Sequence, residues 1–181
     1  MNTSSARYTT TAIALHWLMA ALLLGLFAVG LTMVELPLSP WKLKVYSWHK
    51  WAGVTIFLLV WVRLAWRFTH RPPALPESMS APMRWAAHAG HGLLYALMIA
   101  IPLSGWLMSS AKGFQTVYFG VLPIPDLLVK DKALGDLLAN VHLALNLLLA
   151  FVVVGHAGAA LKHHLIDKDD VLTRMAPRRA H

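Results

Sequence analysis

Histidine is the residue type in this sequence that is best suited to chemistry. There are ten histidines and no cysteine among the 181 residues. An ionisable group is costly inside a membrane-spanning segment, and such groups usually mark functional sites. Hydrogen bonding between helices explains a single intramembrane histidine, but it is a poor account of six at matching depths. Six histidines lie within or at the ends of long apolar stretches: His16, His49, His88, His91, His142 and His156.

The spacing of the last two fits a helix with one site in each half of a bilayer. His142 and His156 are 14 residues apart, which on an α-helix is a rise of about 21 Å and a return to within roughly 40° of the starting direction. With the N-terminus inside, His49 is expected opposite His142 in the outer half. His16 is then expected opposite His156 in the inner half.

Paired imidazoles favour haem iron over other metals. Two facing imidazoles with no carboxylate nearby suit haem better than zinc or calcium, and ligation from both sides leaves the iron suited to electron transfer. A non-haem iron or manganese site would use carboxylates. One alternative stays open at the inner site, because His88 and His91 are level with His16. Either of them could replace His16 as a ligand or bind a haem propionate. A histidine relay for protons or metal, without haem, is a second alternative.

The elements that must position these histidines are four apolar segments. Charged residues make up only 13% of the chain and apolar residues 57%, whereas a soluble domain carries roughly 25% charged residues. Spans of about 20 residues cross a bilayer as helices. The sequence therefore predicts one all-α domain over residues 1–181, an integral membrane four-helix bundle with two haems in its core. The expected spans are about 11–34, 45–67, 84–110 and 136–163.

Positive charges indicate the orientation, because lysine and arginine are enriched on the cytoplasmic side. One side of the predicted bundle has six such residues and the other has ten, which predicts that both termini are cytoplasmic. The net charge of +8 is explained by contact with membrane lipid, so no nucleic-acid partner is expected. The six are Lys42, Lys44, Lys50, Lys112, Lys130 and Lys132; the ten are Arg7, Arg63, Arg67, Arg71, Arg84, Lys162, Lys168, Arg174, Arg178 and Arg179.

Four stretches resemble the bacterial cytochrome b561 family of four-helix dihaem membrane proteins. They are residues 14–24 (ALHWLMAALLL), 48–54 (WHKWAGV), 86–108 (AAHAGHGLLYALMIAIPLSGWLM) and 141–177, where HH, D, L, RM and P follow in order. The resemblance implies two haems b per chain in the bacterial inner membrane. It also implies that His16 and His156 bind the inner haem iron and that His49 and His142 bind the outer one.

The activity implied by this resemblance is electron transfer with ubiquinone as the acceptor. Stand-alone members of the family include superoxide oxidases, which take electrons from superoxide outside and deliver them to quinone. Longer relatives are b-type subunits of membrane hydrogenases. The leading expectation is therefore a superoxide:quinone oxidoreductase. The alternative is an electron-transfer subunit that links a separate dehydrogenase or hydrogenase to the quinone pool.

Two groups of basic residues are candidates for handling the substrates. Lys42, Lys44, Lys50 and Lys112 are expected near His49, where a cationic rim would raise the local concentration of superoxide. On the inner side, His163 and His164 are candidates for binding a quinone headgroup. Both groups have a simpler interpretation, as solvated loop lysines and as anchors at the lipid headgroups.

Overall fold

Four long helices make up most of the chain. The structure, a computed structural model, describes residues 7–177, so Arg178 and Arg179 lie outside the described residues. The helices are α1 (Thr10–Met33), α2 (Pro40–Thr69), α3 (Ala81–Ala111) and α4 (Lys132–Lys162). All four are long and apolar enough to cross a membrane. The predicted all-α membrane bundle is confirmed.

Polar caps set where the helices begin. The side chain of Thr9 accepts a hydrogen bond from the backbone of Ala12, and Ser39 and Asp131 cap α2 and α4 in the same way. Such caps satisfy backbone N–H groups that have no partner within the helix. Because of these caps, α2 and α4 begin about five and four residues before the predicted positions 45 and 136. Lys42 and Lys44 therefore lie on a helix and not in a loop.

The apolar core joins α1, α2 and α3. Met19 of α1, Ile56 and Val60 of α2 and Met98 of α3 form its buried centre. Helix α4 packs along α3 instead, with Leu149 buried. Within residues 7–177, neither α1 nor α2 packs closely against α4 along its length. The bundle therefore leaves space between α4 and the first two helices.

The two ends of the bundle are built differently. At the hairpin end, the α1–α2 connection lies beside the α3–α4 connection, which contains a hairpin of strands β1 (Val117–Tyr118) and β2 (Leu122–Pro123). The terminal end holds the α2–α3 connection and both ends of the described chain. There a π-helical turn (His163–Asp167) leads into a tail that folds back over the bundle.

The tail is held by contacts to the start of the chain. The indole N–H of Trp17 donates to the Met175 carbonyl at 2.9 Å, and Arg7 donates to the Ala176 carbonyl at 2.8 Å. Arg174 pairs with Asp170 at 2.7 Å and also donates to the backbone of the α2–α3 connection. The C-terminal segment is therefore an ordered part of the terminal end.

Candidate functional site

Three histidines meet at the terminal end of the bundle. The rings of His16 and His156 have centroids 6.2 Å apart, and the ring of His91 lies 5.3 Å from that of His156. Two imidazoles that bind one metal from opposite sides, each through a nitrogen about 2 Å away, have centroids roughly 6 Å apart. His88 is exposed on α3 and does not join them. The sequence could not distinguish the two histidines of α3, but the structure does: His91 lies in the cluster and His88 does not.

Arg63 of α2 joins this cluster to the surrounding helices. Its guanidinium donates to the Tyr95 hydroxyl at 3.1 Å and to the Ala12 carbonyl at 3.3 Å, and it lies 3.3 Å from Nδ1 of His16. Arginine is always a donor, so this third contact requires Nδ1 of His16 to accept. The proton of a neutral His16 is then on Nε2. Binding of a metal by His16 through Nε2 requires the proton to move and Arg63 to turn away.

His142 lies at the hairpin end of the bundle, and its hydrogen bonds select the tautomer that can bind a metal through Nε2. Its Nδ1 lies 3.1 Å from the Ile101 carbonyl and 2.9 Å from Ser104 Oγ, while that hydroxyl itself donates to the same carbonyl at 2.7 Å. A carbonyl only accepts, so Nδ1 of His142 carries the proton. Nε2 is therefore left with its lone pair, the form in which imidazole ligates a metal.

Glycines leave room for the two rings at this end. A Cβ on Gly105 would come within 3.1 Å of Cε1 of His142, and one on Gly30 within 3.3 Å of Cε1 of His49. At this end, His142 of α4 is accompanied by His49 of α2. The buried Nδ1 of His49 finds no hydrogen-bond partner among the described residues. His49 is thus placed by shape, whereas His142 is placed by hydrogen bonds.

These features fit a flat group ligated by imidazole. Each pair has one histidine on α4 and one on α1 or α2, the helices between which the bundle leaves space. The contacts described above bring no carboxylate to either pair. The donor set and the space together suit a haem better than a compact metal ion.

Three of the four lysines expected to steer superoxide make hydrogen bonds or ion pairs with other residues of the chain. Lys42 donates to the carbonyls of Val34 and Leu36 at the end of α1, at 3.1 and 2.6 Å. Lys50 donates to the Phe114 carbonyl at 2.7 Å. Lys112 pairs with Asp136 at 3.2 Å, and Lys44 is exposed. All four positive charges lie at the hairpin end. Lys42, Lys50 and Lys112 also hold the connections between the helices in place.

The two histidines expected to meet a quinone differ in their surroundings. His163 is buried, and its Nδ1 lies 2.6 Å from Asp169 and 3.1 Å from Asp167. The ammonium of Lys162 lies 2.6 Å from Asp167 as well. His163 and these two carboxylates are near enough to hold a metal ion, but the lysine already supplies the opposing charge. His164 is exposed, so it is the more accessible of the two.

The fold and the paired imidazoles define an electron-transfer membrane protein of the b-type cytochrome class. The family model for prokaryotic cytochrome b561 matches residues 7–178. The chain belongs to the prokaryotic cytochrome b561 family, and it is a multi-pass bacterial membrane protein. The resemblance inferred from the sequence is thereby confirmed, and the family implies b-type haem.

Curated relatives match the chain over nearly its whole length. Cytochrome b561 homolog 2 of Escherichia coli (strain K12) is 39% identical over 170 residues, which are 93% of this chain and 90% of the relative. A protein of Yersinia pestis named "Probable superoxide oxidase CybB" is 30% identical over 179 residues, 96% of this chain and 97% of the relative. Cytochrome b562 of Cereibacter sphaeroides is 30% identical over 179 residues, with the same coverage.

Sequence reasoning missed the residues that orient the histidines. The sequence analysis assigned no role to Ser104 or Gly105, yet both lie against the ring of His142. A serine followed by a glycine, placed level with a histidine on the neighbouring helix, is the signal that was available. Gly30 had no such signal, because its contact with His49 depends on how α1 packs against α2.

Proposed function

We propose that this protein is a dihaem b-type cytochrome that transfers electrons between a donor at the hairpin end and a quinone. His49 and His142 would hold one haem, and His16 and His156 the other. The observation that carries the proposal is the pairing itself. The ring of His16 on α1 lies 6.2 Å from that of His156 on α4, which supports one pair. The room that Gly30 and Gly105 leave for the rings of His49 and His142 supports the other.

When bound, haem b supplies one-electron redox chemistry. The chain's own residues supply orientation and a dry environment. Ser104 and the Ile101 carbonyl hold the proton of His142 on Nδ1 and leave Nε2 for the iron. Both pairs lie on helices apolar enough to span a membrane, and two histidines at each haem would leave its iron no free position for a substrate. The chemistry supported is outer-sphere electron transfer.

Superoxide and ubiquinone are the proposed substrates. The name of the Yersinia pestis relative, probable superoxide oxidase, supports superoxide as the donor. Two superoxide ions would each lose one electron and become oxygen, and one quinone would gain both electrons and two protons. The positive charges of Lys42, Lys44, Lys50 and Lys112 support arrival of the anion at the hairpin end. We place that end outside and both termini in the cytoplasm of a bacterial inner membrane.

The quinone would be reduced at the terminal end, where protons are available from the cytoplasm. His164 is the better candidate for contacting its headgroup because it is exposed, and His163 would act through the ion pairs that fix the turn. If the isolated protein does not oxidise superoxide or reduce quinone, the function becomes that of an electron-transfer subunit for a separate dehydrogenase. A haem-free histidine relay is the outcome if no haem is bound.

Haem content in purified protein tests the ligand assignment. Wild type should contain two haems b per chain by the pyridine haemochrome assay. His49→Ala or His142→Ala should remove one, and His16→Ala or His156→Ala should remove the other. His88→Ala is the matched control, because His88 is exposed, and it should keep both. Loss of the terminal-end haem in His91→Ala but not in His16→Ala would reassign that ligand.

A second measurement tests the substrates. Pulsed superoxide should reduce the haem of the isolated protein, and added ubiquinone should reoxidise it in the absence of any partner. Reduction by dithionite but not by superoxide would leave the ligand assignment intact and move the function to the partner-subunit alternative.

A further inference from the structure

The α3–α4 connection exposes more apolar surface than a loop in water usually does. Val121 is 83% exposed, Leu122 61% and Phe119 60%, and all three lie at or beside the tip of the hairpin. Phe114, Leu127 and Val129 of the same connection are also exposed. A contiguous exposed apolar patch usually marks a surface that contacts a partner or a membrane.

The hairpin lies beside the apolar part of α2 and not above it. The indole of Trp51 donates to the Val117 carbonyl at 2.7 Å, and the hydroxyls of Thr55 and Tyr118 are 2.9 Å apart. No charged residue occurs from Trp51 to Val62. Thr55 is four residues further along α2 than Trp51, which is about 6 Å along the helix axis. Tyr118 therefore reaches the depth at which α2 has become apolar.

The backbone of the hairpin is suited to a place with little water. Val117 pairs with Pro123 and Tyr118 with Leu122 across the two strands. The turn adds hydrogen bonds from the Gly120 N–H to the Val117 carbonyl and from the Val121 N–H to the Tyr118 carbonyl, at 3.1 and 3.0 Å. Irregular backbone at membrane depth is tolerated only when its polar groups are satisfied within the protein. This turn meets much of that requirement internally.

We propose that the hairpin tip, residues 119–122, inserts into the lipid at the boundary between headgroups and acyl chains. Its apolar side chains extend the apolar surface of the helices, because the hairpin lies beside α2 at a depth where α2 carries no charged residue. Lys130, exposed just before the start of α4, supplies positive charge for anionic headgroups at the same end. The occupant of this surface is the bilayer and not a second protein. The proposal does not depend on which side of the membrane the hairpin faces, or on the proposed function.

Spin labels can test this insertion directly, because the chain has no cysteine to remove. Val121→Cys and Leu122→Cys are each labelled with a nitroxide in the haem-loaded protein. The protein is reconstituted in vesicles of phosphatidylcholine and phosphatidylglycerol. Power-saturation EPR then compares collisions with oxygen, which concentrates in lipid, and with a water-soluble nickel chelate. Phe151→Cys, 77% exposed near the middle of α4, is the lipid reference, and Lys132→Cys is the water reference.

The tip labels should resemble Phe151→Cys more than Lys132→Cys. We expect accessibility to oxygen to be high and accessibility to the nickel chelate to be at least threefold lower than at position 132. Equal nickel accessibility at positions 121 and 132 would place the tip in water and overturn the proposal. Low accessibility to both reagents would indicate a protein–protein contact and would overturn it as well. Two adjacent tip positions guard against one variant failing to fold.

Discussion

Nδ1 of His142 shares its proton between Ser104 Oγ, at 2.9 Å, and the Ile101 carbonyl, at 3.1 Å, on the neighbouring helix. His142 is therefore fixed in tautomer and in ring orientation by α3 alone. The facing His49 lacks such a bond among the described residues. The two imidazoles at the hairpin end are thus chemically unequal, and four predictions follow from this and the neighbouring contacts.

Ser104→Ala should change the environment of His142 without removing its haem. The Ile101 carbonyl still accepts the Nδ1 proton, so the tautomer is kept, but one hydrogen bond worth about 1 kcal/mol is lost. We expect the low-spin EPR signal and the midpoint potential of one haem to shift while the haem content stays near two. Ser110→Ala, a buried serine on the same helix, should leave both unchanged. Identical spectra for all three proteins would mean that Ser104 does not orient the ring.

Gly105→Ala should have a larger effect than Ser104→Ala. The new Cβ would lie 3.1 Å from the His142 ring, and packed surroundings accommodate such a group only by shifting the ring or the helix, at a cost of about 1–3 kcal/mol. We expect the haem content to fall from about two to about one. Gly92→Ala on the same helix is the matched control, since its Cβ would meet nothing within 4 Å. Full haem content in Gly105→Ala would contradict the tight fit.

Arg63→Gln should affect the terminal end selectively. The change removes guanidinium contacts to Ala12 and Tyr95, which join α1, α2 and α3, and it removes the positive charge near His16. We expect the free energy of unfolding to fall by about 1–3 kcal/mol, with a shift in the spectrum of the terminal-end haem only. Redox titration followed by optical spectra resolves the two haems. A shift in the hairpin-end haem instead would mean that the pairing of histidines is wrong.

Lys44→Gln is the cleanest test of electrostatic steering. Lys44 is exposed, whereas Lys42, Lys50 and Lys112 also hold backbone or carboxylate groups, so their replacement would disturb the connections. Haem reduction by superoxide should be slower in the variant than in wild type at low ionic strength. The two rates should become equal at high salt, because charges are screened over about 10 Å at 0.1 M salt. Arg71→Gln at the terminal end is the control. Stopped-flow rates of haem reduction that are the same in wild type and Lys44→Gln, and that do not change with salt, would refute electrostatic steering.

The sequence was sufficient to predict features that depend on one helix alone. Hydropathy was enough to predict the four helices, and the spacing of His142 and His156 placed them at two depths of one continuous helix. Caps shifted the starts of α2 and α4 because a serine or aspartate before a helix can extend it beyond the apolar stretch.

Contacts between helices were not predictable in the same way. The role of Gly30 depends on which residue of another helix lies opposite. Lys42 and Lys50 bind backbone carbonyls, which every residue possesses, so no residue pattern marks these partners. His88 and His91 could be distinguished only once the rotation of α3 was known.

The division of the bundle also bears on its biogenesis. The buried centre is formed by Met19, Ile56, Val60 and Met98, all from the first three helices. Those helices leave the ribosome before α4, so they can assemble while one side of the histidine sites is still open. Helix α4, which carries His142 and His156, follows the first three, so with the proposed ligand pairs it would close both sites at once. The order of synthesis would then keep a lateral opening for a flat cofactor until α4 is inserted.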